Sequence, residues 1–280
     1  MSTFWANDLK THTEILKVQD MVRETLRSRS KNVSPVIDHV LDSEGKYVRA
    51  GMVILAAQNG DYDSQRTVPV AAAVEMLHLA TLIHDDIIDE SEFRRGKRSV
   101  QSKFGKDVAV YTGDFVLSKT FSLLSENHTH YMLPLSKAIE RICMGEIMQN
   151  ENKHNTNLTK RQYLRIISGK TASLFAVSLH AGAVEGQLDE MDTRVLRNSG
   201  LHVGMAFQII DDCLDYLQDS ESTQDFSGFN PIEILGGTET FEKLANAYTA
   251  KALKDLSKTS NCKNIEKLEE LYLRLVGRNA

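Results

Sequence analysis

The chain has 280 residues, 41% of them hydrophobic, which is enough to bury one large core. A formal charge of -5 excludes binding to nucleic acid by charge alone. No uninterrupted apolar run reaches membrane-spanning length, and MSTFWANDLK at the start lacks a signal-peptide core; both point to a cytoplasmic protein with no transmembrane segment.

Only four prolines occur (Pro35, Pro69, Pro134 and Pro231), so long stretches lack a helix breaker and an all-α chain is expected. In chain order, SPVIDHVLDSEG places Val36, Ile37, Val40 and Leu41 on one helix face and stops near Gly45. YVRAGMVILAAQNG is a second apolar helix, ending at Asn59 and Gly60. VPVAAAVEMLHLATLIHDDIID is apolar nearly all round, as a central core helix would be, with Pro69 near its first turn. Helix-compatible segments follow through TRVLRNSGLHVGMAFQIIDDCLDYLQ. The polar DSESTQDFSGFN, with Gly228, reads as a loop, and the tail from Glu239 to Val276 as a charged helical hairpin. Cys143, Cys213 and Cys262 form no CxxC pair and read as free, buried thiols.

The chemistry concentrates in one repeated pattern. LIHDDIID carries Asp85, Asp86 and Asp89, and FQIIDDCLDY carries Asp211, Asp212 and Asp215. In each, the outer two are spaced i, i+4 and share a helix face. Like charges cost about 4 kcal/mol at roughly 4 Å and an effective dielectric near 20. A solvated acidic face is the usual fate of a charge run, but that reading weakens for two copies, each preceded by apolar residues. A compensating cation is called for. Carboxylate oxygens in this number suit Mg²⁺, which binds a few carboxylates together with waters and substrate phosphates; the spacing does not match an EF-hand loop.

Basic groups accompany them: Lys46 and Arg49 in GKYVR, Arg94 and Arg95 in FRRGKRS, and Lys170 beside Thr171 in SGKTASLF. Alone, each would be a surface cation. With the two acidic clusters they suggest two diphosphates, one held through metal and one held directly. His78, two turns before Asp85 on the same face, is a candidate substrate contact. Gln149 in GEIMQ and Gln208, three residues before Asp211, are weaker candidates.

These stretches, GKYVR, EMLHLATLIHDDIID, RRG, FGKDVAVYTGDFVLS, GEIMQ, SGKTASLF and GMAFQIIDDCLDY, resemble the trans-isoprenyl diphosphate synthases, in family order and up to about residue 220. The resemblance implies a single polyprenyl synthase domain over 1–280, an isoprenoid-synthase-type helical bundle with both acidic motifs facing a central cavity, and a homodimer. It implies Mg²⁺ and an allylic diphosphate at Asp85, Asp86, Asp89, Asp211, Asp212, Asp215 and Arg94. It also implies isopentenyl diphosphate at Lys46, Arg49, His78 and Arg95, with Lys170, Thr171 and Gln208 around the reacting centre.

In the family, aromatic residues four and five positions before the first motif stop elongation early. Here they are Thr81 and Ala80, and Leu77 is the next large side chain on that face. An all-trans product of geranylgeranyl length or longer is the expectation.

The chain departs from the family in two places. Lys97-Arg98-Ser99 replaces the usual Pro-Thr after Arg-Arg-Gly, and QDSESTQDFSGFNPIEILGGTETF lacks the Gly-Lys pair normally found downstream of the second motif. Two alternatives stand beside the synthase. A class I terpene cyclase shares the first motif but not Asp211-Asp212-x-x-Asp215 or the isopentenyl-binding Lys46 and Arg49. A catalytic subunit of a heteromeric synthase would need a partner chain to turn over.

Overall fold

A computed structural model describes residues 3–42, 45–152, 155, 157–221 and 231–277, without the side chains of 217–221, 231 and 233. Among the described residues the regular structure is helical apart from one short hairpin, as the scarcity of prolines and of strand-like alternation led one to expect. The chain packs as two compact units, residues 1–54 with 63–132 and residues 55–62 with 133–280.

In the first unit, α1 (Leu9–Leu26) starts at Asp8, whose carboxylate accepts from the Thr11 amide at 3.2 Å, and buries Ile15, Val18, Val22 and Leu26 on one stripe. α2 (Ser34–Leu41) buries Val36, Ile37 and Val40, and α3 (Val48–Ala57) follows. The central element is α4 (Ser64–Ile88), which packs against α1 and α6 (Lys106–Ser125). α4 begins at Ser64, not near Pro69. Asp63 caps it, accepting from the Gln65 and Arg66 amides at 2.7 and 3.3 Å, and this cap carries the helix through the proline in its second turn. By length and composition α4 would cross a bilayer, so the chain does contain one stretch of that kind; 61% of the stretch is buried in the protein, as in a core helix.

After α4 come β1 (Phe93–Arg94) and β2 (Lys97–Arg98), paired antiparallel, then α5 (Val100–Phe104), capped by the Ser99 hydroxyl. The N-terminus is fastened to the GKYVR segment. Trp5 is buried, donates from Nε1 to the Lys46 carbonyl at 2.7 Å, and packs on Gly51, where a Cβ would fall 2.1 Å from the indole.

In the second unit, α7 (Met132–Glu151), α8 (Lys160–Ile167), α9 (Ser173–Glu185), α10 (Glu190–Glu221), α11 (Pro231–Leu235), α12 (Thr238–Leu256) and α13 (Ile265–Val276) surround a core that includes Tyr163, Ile166, Met205, Ile209 and Phe241. α10 is the long axis of this unit, packed chiefly between α9 and α12. The expected C-terminal hairpin is α12 and α13. The expected loop is partly helix, since Asp219, Ser220 and Glu221 continue α10; residues 222–230, with Gly228, lie outside the described residues. The three cysteines are free as expected, but none is buried: Cys143 is exposed on α7, beside buried Ile142, and Cys213 and Cys262 are half-buried.

Asp192 joins the two ends of this unit. Fully buried near the start of α10, it accepts from the Ser260 and Asn261 amides, each at 3.0 Å, and so ties down the turn between α12 and α13. Asp192→Ala leaves two amides without their acceptor, and thermal unfolding is expected to show a loss of about 1–3 kcal/mol; an unchanged melting temperature would contradict this.

Candidate active site

The first acidic motif ends α4. Asp85 and Asp86 occupy its last turn and Asp89 is its C-cap, with the Asp89 amide donating to the Asp85 carbonyl. This is the negative end of the helix dipole, where each carboxylate costs about 0.3–1 kcal/mol. The hairpin supplies the answering charge. Arg94 donates from Nε to Asp86 Oδ1 at 2.8 Å and from Nη2 to the same oxygen at 2.5 Å. Asp86 is buried, Asp85 half-buried and Asp89 exposed. Arg94 therefore braces the middle carboxylate, and Asp89 is the most exposed of the three.

The RRG stretch is the turn of this hairpin. Arg95 and Gly96 both have positive φ, +52° and +75°, as a two-residue turn between right-twisted strands requires. Glycine accepts this at no cost, whereas Arg95 is strained. The strain aims Arg95 at Gly45, where a Cβ would meet its Nη1 at 2.8 Å. The departures from Pro-Thr also find partners: Lys97 Nζ donates to the Asp42 carbonyl at 2.6 Å, the Arg98 carbonyl lies 2.8 Å from His39 Nε2, and Ser99 caps α5. They dock the hairpin on α2.

Arg95 shares a small pocket of about 30 Å³ with Tyr47, Glu75 and His78. Arg49 donates from Nη1 to His78 Nε2 at 2.8 Å, which leaves the imidazole proton on Nδ1. Burial, and then the charges of Arg49, Arg95 and Arg94, hold the His78 pKa well below its ordinary value, so it is a neutral hydrogen-bonding group. Glu75, one turn before His78, accepts from the Ala50 amide at 3.1 Å; burial raises its pKa and the Arg49 charge opposes that rise. Burial, then Glu75, also pushes Tyr47 up to about 12. Of the expected isopentenyl site, the structure thus brings Arg49, His78 and Arg95 together. Lys46 is exposed, its Nζ 5.9 Å from the Phe4 ring centroid.

In the second unit, Ser168–Ala172 is a π-helical turn between α8 and α9, a wide turn that recurs at functional sites. It approaches α7 backbone to backbone: a Cβ on Gly145 would lie 2.7 Å from the Lys170 amide nitrogen, and one on Gly169 2.6 Å from the Arg141 carbonyl. The glycines of GEIMQ and SGKT are two sides of one crossing. It sets Lys170 against Glu146, Nζ to Oε1 at 3.0 Å. Thr171 donates to Gln208 Oε1 at 2.5 Å, Gln208 Nε2 to Asp212 Oδ1 at 2.7 Å, and the Tyr163 hydroxyl to Asp212 Oδ2 at 2.7 Å. Burial pushes Asp212 up to about 6 against these two hydrogen bonds. Both of its oxygens are occupied. Asp211 is half-buried and Asp215 exposed, as at the first motif. Gln149 is half-buried on α7.

Glu75, Glu146 and Tyr163 escaped the sequence reading. Glu75 was findable as an acid inside an apolar helix one turn from His78; Tyr163 carries no spacing signal that points to Asp212. Thr81 is half-buried, its hydroxyl donating to the His78 carbonyl at 2.8 Å, whereas Ala80 and Leu77 are fully buried. Among the described residues no group of three or more carboxylates, histidines or cysteines is already gathered around one metal position. The donors are nonetheless hard oxygens, and Mg²⁺ completes its shell with waters and phosphates, so the outer carboxylates fit it. Arg95→Gly relieves the turn and removes the cation: the melting temperature is expected to hold or rise, while inorganic diphosphate binding, read by calorimetry, weakens at least about tenfold. Unchanged binding would contradict this placement.

Comparison with known proteins matches residues 30–228 to the polyprenyl synthetase family. The chain is 37% identical over 225 residues to heptaprenyl diphosphate synthase component 2 of Bacillus subtilis (strain 168), covering 78% of this chain and 65% of that one. It thus spans just under two thirds of the length of that curated relative. Among solved structures, a decaprenyl diphosphate synthase from Rhodobacter capsulatus superposes with a TM-score of 0.88 at 26% identity, over 95% of this chain and 96% of the other. A polyprenyl synthase from Caulobacter crescentus CB15, complexed with calcium and isoprenyl diphosphate, gives 0.81 at 28% identity, over 96% of each chain. With a family match over residues 30–228 and these relatives beside it, the chain belongs to the polyprenyl synthetase family.

Proposed function

We propose that the chain is a trans-prenyltransferase that condenses isopentenyl diphosphate with an allylic diphosphate to give an all-trans polyprenyl diphosphate of geranylgeranyl length or longer. The observation that carries this reading is common to both acidic motifs. In each, the middle aspartate is held by the protein's own donors, Asp86 by Arg94 and Asp212 by Tyr163 and Gln208, and the last aspartate is exposed. The outer pairs, Asp85 with Asp89 and Asp211 with Asp215, are the proposed Mg²⁺ ligands. The proposal treats 1–280 as one functional synthase domain that carries both motifs.

The reaction breaks the allylic C–O bond, joins the allylic carbon to the double bond of isopentenyl diphosphate, and returns a proton to the released diphosphate. Bound Mg²⁺ supplies charge stabilisation to that leaving group. Lys170, oriented by Glu146, adds a fixed cation for the same charge, and Thr171 and Gln208 hold the turn that carries it. Arg49, Arg95 and Lys46 take the diphosphate of the second substrate, and neutral His78 adds a hydrogen bond without a charge. The proposed enzyme is cytoplasmic and homodimeric. A second reading, the catalytic subunit of a heteromeric synthase, draws support from the relative named component 2. Turnover only after a partner chain is added would favour it.

Purified chain with Mg²⁺, isopentenyl diphosphate and an allylic diphosphate should yield elongated prenyl diphosphates; hydrocarbons from the allylic substrate alone would indicate a cyclase. Asp85→Ala and Asp211→Ala are each expected to lower kcat by about 10²–10³, as loss of charge stabilisation in the transition state, and near-normal turnover in either would sink the assignment. Thr81→Phe should shorten the product, because it restores a large aromatic side chain at a half-buried position four residues before the first motif. Ala80→Phe enlarges a fully buried site and should cost about 1–3 kcal/mol of stability besides. A wild-type enzyme that stops at farnesyl length, or an unaltered product distribution in Thr81→Phe, would refute the chain-length reading.

A further inference from the structure

Within the second unit, between α7 and α9, lies a cleft of about 240 Å³ lined by no residue of either acidic motif. Its rim is basic. Lys137 and Arg141 stand one turn apart on α7, and Arg197 joins them from α10. All three are exposed, and among the described residues none has a carboxylate within ion-pair distance. Like charges at i, i+4 repel, so the arrangement is disfavoured until an anion enters. The walls are apolar: Ala138 and Ala176 are buried and Val177 is half-buried. His180 also lines the cleft, and its buried Nδ1 meets no hydrogen-bond partner among the described residues.

The backbone explains why the space exists. At Gly145 and Gly169 the π-helical turn and α7 are in backbone contact. Toward the start of α7, the residues lining the α9 side are small, Ser173 and Ala176, and the gap is left open. That volume, with apolar walls and convergent polar groups, suits a small organic ligand rather than a drug-sized one.

We propose that this cleft binds an amphiphilic anion, a phosphate or diphosphate head on an apolar tail, with Lys137, Arg141 and Arg197 on the head and Ala138, Ala176 and Val177 along the tail. His180 contributes a neutral imidazole, since burial and then the Arg197 charge lower its pKa. The Ser173 hydroxyl, in the cleft wall, donates to the Gly169 carbonyl at 2.6 Å, so an occupant touches the turn that carries Lys170. The site does not depend on the condensation reading, because it requires only the ligand's head and tail.

The test is calorimetric titration of the full chain with decyl phosphate, without Mg²⁺, beside inorganic phosphate and decanol. Decyl phosphate should bind wild type and Arg95→Gly alike, and at least about tenfold more weakly to Lys137→Gln/Arg141→Gln/Arg197→Gln. Those three side chains are exposed, so circular dichroism should be unchanged. Val177→Phe, which fills the apolar wall and keeps every cation, should weaken binding as well. Equal affinity in the triple variant would overturn the site, and inorganic phosphate or decanol binding as tightly as decyl phosphate would overturn the ligand class. Sedimentation with vesicles of anionic phospholipid separates the sources: capture lost in the triple variant identifies a lipid headgroup, and no capture with decyl phosphate binding retained identifies a dissolved ligand.

Discussion

Carboxylates on an apolar helix lose part of their water and repel one another, and those at the C-terminal end of α4 meet the helix dipole as well. Much of the candidate site answers that problem. In the first unit the answer is ionic: the hairpin after α4 returns Arg94 to Asp86, and the folds that dock the hairpin, Lys97 on Asp42 and Arg98 against His39, keep it there. In the second unit the answer is a chain of neutral donors, Thr171 to Gln208 to Asp212, with Tyr163 closing the other side. Different partners reach one outcome, a middle aspartate bonded to the protein's own donors and a last aspartate exposed to solvent. In the proposed site a divalent cation would complete the compensation that the protein's own cations begin.

Backbone features of low tolerance carry the rest. Arg95 holds positive φ in the turn before Gly96, and Tyr47 holds it just after Gly45, where the Arg95 guanidinium lies. Two strained residues and a glycine that leaves room for a guanidinium converge on the pocket that contains His78 and Glu75. Strain of this kind persists where the surroundings over-determine it, and here Trp5 on the Lys46 carbonyl and Glu75 on the Ala50 amide do so. The Gly145–Gly169 crossing does the same for Lys170.

The helical class, the core character of α4 and both acidic motifs were legible in the sequence because each rests on local spacing: few prolines, apolar periodicity, and carboxylates at i, i+4. The RRG stretch was legible as cations, but its turn was not, because a positive φ at arginine has no compositional sign. The start of α4 was misplaced because the proline signal at Pro69 was weighed and the cap at Asp63 was not. Tyr163 and Glu146 were missed because their partners, Asp212 and Lys170, lie 49 and 24 residues away; such pairing is fixed by packing. The cleft rimmed by Lys137, Arg141 and Arg197 was invisible for the same reason, since no motif links α7 to α10.

The central claim is the division of labour within D-D-x-x-D, outer aspartates for metal and middle aspartate for architecture. Its most direct test is the Mg²⁺ concentration giving half-maximal turnover in Asp85→Asn and in Asp86→Asn, each read with its melting temperature. Asparagine at position 86 keeps an oxygen for Arg94 and loses the charge. The account predicts that Asp85→Asn raises the Mg²⁺ requirement at least about tenfold with little change in melting temperature, whereas Asp86→Asn lowers the melting temperature and leaves the requirement within about twofold. An equal rise in the Mg²⁺ requirement for both variants would contradict it.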